Sequence, residues 1–203
     1  MFGLLKHAVD IVAPTGDGEG EQQEDPVAQQ LREIRRIPAL HTEGSPEVRA
    51  KDLTIPEPMP AAGSYSPVVV IGDMCFVSGQ TPWDGEKILK GKVSPTAGEE
   101  GTPEDYVNEE AAVQAARQVG LNMLATLKKH LGSLDTVCRV VKVTGFVNST
   151  SDFENHPKVL NGFSDLMIEV FGDAGKAARS AVGMGSLPFN MTVEVEAIFQ
   201  LCR

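Results

Sequence analysis

The alternation of apolar and polar residues is clearest near the C-terminus, where residues 177–199 predict two strands joined by a connection containing Gly and Pro. In the second strand, apolar residues alternate with Glu194 and Glu196, the period of a strand with one buried face. Both carboxylates therefore project from the same face, and the first strand supplies one candidate cation for them, Arg179. An ordinary solvated face fits this spacing as well.

Four further strands are predicted upstream. Residues 68–71 and 74–78 are apolar runs separated by Gly72-Asp73, which has the composition of a tight hairpin turn. Residues 87–93 are expected to form a third strand. Residues 137–147 have the β-branched density of a strand, and we expect its Arg139 and Lys142 to face water.

Two helices with one apolar stripe each are also predicted. The first is expected to begin at Thr102, as N-cap, and to stop at Gly132. The second is expected to open at Pro157 and to end at Gly172. The residues that keep helical spacing are Val113, Ala116, Gly120, Met123, Leu124, Leu127 and Leu131 in the first, and Val159, Leu160, Phe163, Leu166, Met167, Val170 and Phe171 in the second.

This element order predicts an α+β fold. Each helix has a single apolar stripe, so both should cover one face of a mixed sheet as a two-layer sandwich. Val, Phe and Ile occur on both parities of several strands, so the opposite face should also carry apolar side chains. We therefore expect other subunits to cover that face in an oligomer.

The N-terminal quarter differs in composition from the rest of the chain. We expect residues 1–50 to be a disordered or loosely attached extension, because the segment 15–25 is rich in Gly and acid, and residues 51–203 to form the domain. Residues 26–37 could form a helix. The apolar run 1–12 is too short to span a bilayer, so we expect a cytoplasmic protein, with a mitochondrial address as the alternative.

Charge and cysteine content restrict the partners and the chemistry. The net charge of −10 argues against a broad phosphate-binding surface, so a nucleic-acid partner is not expected. Cys75, Cys138 and Cys202 are odd in number and far apart, and no His clusters with them. This pattern indicates neither a disulfide framework nor a zinc site and favours a reduced, intracellular protein.

An ordered set of motifs between Tyr65 and the C-terminus resembles the YjgF/RidA family, the reactive-intermediate deaminases also described as L-PSP endoribonucleases. The motifs are SGQ at 78–80, VVKVTGFV at 140–147, DF at 152–153, ARSAV at 178–182, LP at 187–188 and VEVEAI at 193–198. The resemblance implies a chorismate-mutase-like fold and homotrimers with clefts between subunits.

The resemblance also implies a reaction and a site. Arg179 would hold the carboxylate of an imino acid, and Glu194 would orient or deprotonate the attacking water. Tyr65, Ser78, Gly79 and Ser180 would line the cleft. The implied chemistry is hydrolysis of 2-imino or 2-enamino acids to 2-oxo acids and ammonia, without metal or coenzyme, because an imine carbon is already electrophilic.

Several positions depart from the deaminase pattern. Pro157 and Leu160 stand where that branch has Asn and Tyr, and Ala181 stands where it often has Cys. The chain therefore resembles a separate branch of the superfamily. Two alternatives stay open: a trimer that senses small carboxylates or binds proteins without turnover, and an endoribonuclease-type translation inhibitor.

Overall fold

The computed structural model describes residues 44–202. The helices are α1 (Pro46–Arg49), α2 (Glu109–Leu131), α3 (His156–Val159) and α4 (Asn161–Phe171), and the strands are β1 (Val68–Ile71), β2 (Met74–Gln80), β3 (Val137–Asn148), β4 (Ala178–Met184) and β5 (Val193–Leu201). Short 3-10 turns span Leu134–Thr136, Gly172–Gly175 and Pro188–Asn190. Within this range no helix has both the length and the apolar character needed to cross a bilayer.

The five strands form one mixed sheet in the order β1-β2-β5-β3-β4. β3 and β4 are parallel, and the other neighbours are antiparallel. The last two strands in sequence, β4 and β5, do not pair with each other, because β3 lies between them. The central residue Val143 is aligned with Arg179 on one side and with Ala197 on the other.

One face of the sheet is covered by α2 and α4. Val193, Val195, Ala197 and Phe199 of β5 are buried on this face. The predicted stripe of the second helix is fully buried, including Phe163, Leu166 and Met167. The prediction of an α+β sandwich, with two helices on one face of a mixed sheet, is therefore confirmed.

The opposite face of the sheet, which we call the open face, has no helix over it among the described residues. Its side chains include Val69, Ile71, Phe76 and Val182, which are 40–66% exposed. The expectation that this face would carry apolar residues is confirmed. A face of this kind favours burial against another chain.

The first long helix begins later than predicted. It starts at Glu109, where the Asn108 side chain accepts a hydrogen bond from the backbone N–H of Ala111 at 2.8 Å. Thr102 instead lies in a preceding turn, and its hydroxyl donates to the carbonyl of Glu99. The expected start at Thr102 was wrong because a second residue able to cap lies six positions later. The predicted end is confirmed: Gly132 follows with φ 82°.

Residues 87–93 do not form the predicted third strand. They make only isolated bridges, with Lys90 facing Met191 and Val93 facing both Val107 and Ser149. Gly91 interrupts the extended backbone with φ 113°. The apolar pattern predicted a strand, but the backbone groups bond to separate segments, so no continuous ladder forms.

The described fold begins before residue 51. Pro46 and Ala50 are buried, and the Glu47 carboxylate accepts hydrogen bonds from Lys128 Nζ at 2.8 Å and from the Leu134 N–H at 2.8 Å. Burial would raise the pKa of Glu47, but these hydrogen bonds and the Lys128 charge together lower it. The expected helix at 26–37, and most of the expected extension, lie outside the described residues.

Cys138 and Cys202 form a disulfide, which the sequence did not indicate. They are 64 residues apart, but the alignment of Val137 with Leu201 places the start of β3 beside the end of β5, with a Cα–Cα separation of 5.0 Å. The expectation of a reduced chain without a disulfide framework was therefore wrong for this pair. Cys75 is free and buried, and burial raises the pKa of its thiol.

Candidate functional site

Glu194 lies on the open face, against the backbone of β2. The β2–β5 alignment shifts between Val77 and Gln80, and Gly79 lies in this irregular stretch. A Cβ atom at position 79 would lie 1.9 Å from Glu194 Oε1, so a side chain here would occupy the place of the carboxylate. Gly79 therefore makes room for Glu194, and the structure brings these two predicted site residues together.

The environment of Glu194 favours its neutral form. Burial, and secondarily the charge of neighbouring Glu196, raise the pKa of the Glu194 carboxyl above its ordinary value. No hydrogen bond or cation in the described part of the chain offsets these effects. A half-buried carboxylate with a raised pKa suits proton transfer near neutral pH.

A polar network from α2 supports the segment that carries Gly79. Thr126 donates to the Gln80 side chain at 2.9 Å, and Gln80 donates to the carbonyl of Ser78 at 3.0 Å. Asn122 donates to the carbonyls of Thr81 and Trp83. Asn122 and Thr126 were not predicted from the sequence, although polar residues four apart within a buried helical stripe are a signal that could have identified them.

Ser78 and Tyr65, both predicted to line the cleft, form hydrogen bonds with backbone groups of the segment before β1. Ser78 Oγ donates to the carbonyl of Ser66 at 2.8 Å. The Tyr65 hydroxyl accepts from the Ala62 N–H at 3.3 Å, and Tyr65 is 50% exposed. Within one chain, these contacts fix the approach to β1 against the end of β2.

A shallow cavity of about 250 Å³ lies on the open face between β2, β5 and β3. Its polar lining consists of Ser78, Lys142, Thr144 and Glu196. Lys142 Nζ donates to Ser180 Oγ at 2.8 Å. Lys142, expected to face water, lies on the open face but is half-buried there and bonded to a predicted site residue. The Arg139 Nε atom is also buried and has no partner in the described chain.

Arg179 lies on the helix side of the sheet, because it is aligned with buried Val143. Its Nη1 donates to Asn161 Oδ1 at 3.0 Å and to Ser164 Oγ at 2.9 Å, and its Nη2 donates to the Pro157 carbonyl at 3.1 Å. In the described part of the chain, Nε–H and one Nη2–H have no acceptor. The guanidinium is thus held in one orientation by three hydrogen bonds and keeps two N–H groups that can donate to a ligand.

Arg179 and Glu194 are not brought together within one chain. Two strand spacings and three residues of register separate them, or about 14 Å between Cα atoms at 4.8 Å per strand and 3.3 Å per residue. Their side chains also project from opposite faces. The prediction that Arg179 offsets the carboxylates of the neighbouring strand was therefore wrong for a single subunit.

Residues 46–201 match the model of the family described as "YjgF/chorismate mutase-like, putative endoribonuclease". The chain belongs to this family. Among residues 44–202 the YjgF-family chain has no group of three or more His, Cys, Asp or Glu side chains that could hold a metal ion.

Relatives of the YjgF-family chain come from distant organisms. Protein TCP17 of Trypanosoma cruzi is 38% identical over 150 residues, covering 73% of this chain and 88% of that protein. A solved structure of a protein of unknown function from Agrobacterium tumefaciens is 37% identical with a TM-score of 0.66, covering 78% and 94% of the two chains. A solved structure from Shewanella oneidensis, described as a putative endoribonuclease, is 30% identical with a TM-score of 0.68, covering 78% and 100%.

Proposed function

We propose that the protein hydrolyses 2-imino and 2-enamino acids to 2-oxo acids and ammonia in a cleft between subunits. The observation that carries this proposal is Glu194, a half-buried carboxylate with a raised pKa, no partner in the described chain, and a place reserved by Gly79. A raised pKa makes the ionised carboxylate a stronger base than an ordinary one, so Glu194 can accept a proton from water.

Arg179 would bind the substrate carboxylate. Asn161, Ser164 and the Pro157 carbonyl hold its guanidinium in place, so little side-chain entropy is lost on binding. The remaining Nε–H and Nη2–H are two charge-assisted donors for a carboxylate. An ammonium group in this place could not reproduce such paired donation.

The separation of Arg179 from Glu194 supports a site that is completed by a second chain. One subunit cannot present both groups to one small substrate, because they lie about 14 Å apart on opposite faces by strand geometry. The apolar open face supports association. We therefore infer a homotrimer in which Arg179 of one subunit and Glu194 of its neighbour face the same cleft.

The proposed reaction needs one water and one proton relay. Glu194 takes a proton from water as the water oxygen adds to the carbon of the protonated imine, whose nitrogen becomes a neutral amine. Glu194 then returns this proton to the amine nitrogen, and the carbinolamine expels ammonia as its hydroxyl proton passes to solvent, which leaves the 2-oxo acid. Because the imine carbon is electrophilic, positioning and proton transfer are sufficient, and the proposed mechanism requires no metal or coenzyme.

A second candidate is a trimer that binds small carboxylates without turnover. The observation that favours it is the engagement of Arg179, which already satisfies three acceptors of its own chain. Pro157, which differs from the deaminase pattern, accepts one of these hydrogen bonds through its carbonyl. In this alternative, 2-oxo acids bind and no ammonia is released.

Nucleic acid ranks below small molecules as a partner. The family description and the Shewanella oneidensis relative both carry the word endoribonuclease. A chain with net charge −10 nevertheless has little capacity to neutralise phosphates. Any RNA cleavage that fully survives in Arg179→Ala would be assigned to a contaminant.

The cytoplasm is the proposed location, and the mitochondrion is the alternative. Protein MMF1 of Saccharomyces cerevisiae, 30% identical over 139 residues and covering 68% of this chain and 76% of that protein, is named as mitochondrial. Fractionation of cells that express the native chain would decide between the two compartments.

The test is ammonia release from 2-aminoacrylate generated in situ. Arg179→Ala should lower kcat/KM roughly a hundredfold or more, since each lost charge-assisted hydrogen bond is worth about 1.5–3 kcal/mol, and Arg179→Lys should recover only part. Glu194→Gln should lower kcat but retain binding of 2-oxobutyrate. Wild-type protein that binds 2-oxobutyrate but releases no ammonia would establish the sensing alternative.

Glu196→Gln is the matched control, because it removes a carboxylate from the same strand and face while leaving Glu194 intact. The wild-type rate should fall as the pH drops through the raised pKa of Glu194. Glu196→Gln should keep kcat and move this limb to lower pH, because one cause of the raised pKa is removed. Equal losses in Glu196→Gln and Glu194→Gln would contradict the assignment of the base.

A further inference from the structure

A second cavity, of about 710 Å³, lies where the parallel strands β3 and β4 end. We call it the Lys92–His156 cavity. It lies between the loop at residue 92, the segment after β3 and the end of β4. Its lining includes Lys92, Tyr106, Ser149, His156, Gly183 and Met184.

The lining of the cavity includes one lysine, held in place by hydrogen bonds, and no acidic side chain. Lys92 Nζ donates to Asn148 Oδ1 at 3.0 Å and to the Gly185 carbonyl. Asn148 is fully buried, and its side-chain amide donates to Asn190 Oδ1 at 3.0 Å. The acceptor that binds the Lys92 ammonium is therefore itself fixed in position. The third N–H of the ammonium has no acceptor in the described chain. No Asp or Glu lines the cavity, although the chain carries a net charge of −10.

A hydroxyl and an imidazole lie on the lining of the same cavity. Ser149 Oγ and His156 Nε2 are 3.0 Å apart and share one hydrogen bond. A Cβ atom at Gly183 would lie 2.4 Å from Nε2 and 3.0 Å from Ser149 Oγ, so glycine is what allows the pair to occupy this space. The Ser151 side chain adds an exposed hydroxyl.

We propose that the Lys92–His156 cavity binds a small oxyanion group, a carboxylate or a phosphate. Lys92 supplies the charge, and the Ser149–His156 pair supplies one hydrogen-bond donor beyond the bond that the two share, a combination that suits anionic oxygens. The Arg179 guanidinium bonds to Pro157, next to His156, and Gly183 lies four residues beyond Arg179 along β4, about 13 Å between Cα atoms at 3.3 Å per residue. The site is therefore a neighbour of Arg179 but is not lined by it. It does not depend on the proposed deamination.

NMR of the full-length protein can test this proposal, with inorganic phosphate and acetate as separate probes and chloride as the ionic-strength control. Methionine methyl labelling reports Met184 in the cavity, with buried Met167 as an internal reference. Imidazole resonances report His156, with His130 as the reference. Saturable shifts of Met184 and His156, absent for the two references, are expected with at least one probe, and the probe that saturates first identifies the anion class.

Lys92→Met should weaken this binding roughly tenfold or more, because a charge-assisted hydrogen bond is lost. Lys90→Met is the matched control. Lys90 is exposed and lies two residues before Lys92, so this variant removes the same charge outside the cavity and should leave the affinity for the anion unchanged. Gly183→Ala should also weaken binding by displacing His156. Arg179→Ala should keep saturable binding that Lys92→Met still weakens, because Arg179 does not line the cavity. Absent or chloride-like shifts, or equal losses in Lys90→Met and Lys92→Met, would overturn the proposal.

Discussion

Gly79→Ala offers a direct test of the place that the structure gives to Glu194. The added Cβ would lie 1.9 Å from Glu194 Oε1, so the oxygen has to retreat by about 1.5 Å to reach an ordinary contact of 3.4 Å. The backbone of Gly79 is not in the left-handed region, so alanine introduces no strain there. The substitution therefore displaces the carboxylate without changing its chemistry.

The expected consequence is a large loss of rate with a small loss of stability. A displacement of about 1 Å in a catalytic group can cost about a hundredfold in rate. The displaced atoms end a side chain on the open face and can move, so the free energy of unfolding should change by no more than about 1 kcal/mol. The loss of catalytic rate should therefore be much larger than the loss of stability.

The assay is ammonia release together with thermal unfolding. Gly63→Ala is the matched control, because its Cβ would meet Tyr65 only at an ordinary 3.6 Å. Combining Gly79→Ala with Glu194→Asp, which shortens the side chain by one methylene, should recover part of the rate, a coupling that a double-mutant cycle can measure. A Gly79→Ala variant with the kcat/KM of the wild type would refute the proposed role of this contact.

Three other predictions concern assembly and stability. Light scattering should give the mass of a trimer, and Phe76→Lys on the open face should dissociate it; a wild-type protein that stays monomeric at micromolar concentration would contradict the inter-subunit cleft. Because the pKa of Glu47 is lowered on folding, its contribution should be complete above its ordinary pKa of 4.5 and lost as the pH falls through the lower folded value. Glu47→Gln should therefore reduce the melting temperature at neutral pH but not at strongly acidic pH, and a pH-independent difference would contradict this. Denatured, unreduced protein should contain one titratable thiol, Cys75, and three after reduction, and cleavage of the Cys138–Cys202 bond, which closes a loop of 64 residues, should lower the free energy of unfolding by up to about 4 kcal/mol. Equal thiol counts before and after reduction would refute the bond.

Local patterns were sufficient to predict most of the elements. The alternation around Glu194 correctly placed β5, and the Gly72-Asp73 turn correctly placed the β1–β2 hairpin. Both depend on side-chain periods that are set by a few neighbouring residues. The same reasoning failed at Thr102 and at residues 87–93, where several local conformations compete and contacts distant in sequence select among them.

The candidate site, like the fold, was predicted from the sequence only in part. The sequence determined that Glu194 and Glu196 share a face, because alternation along a strand is a local property. Only the tertiary structure decided that β3 separates Arg179 from Glu194, that Gly79 lies against the carboxylate, and that Cys138 meets Cys202. Strand order and register are set by burial summed over the whole sheet, so no single segment of the chain encodes them.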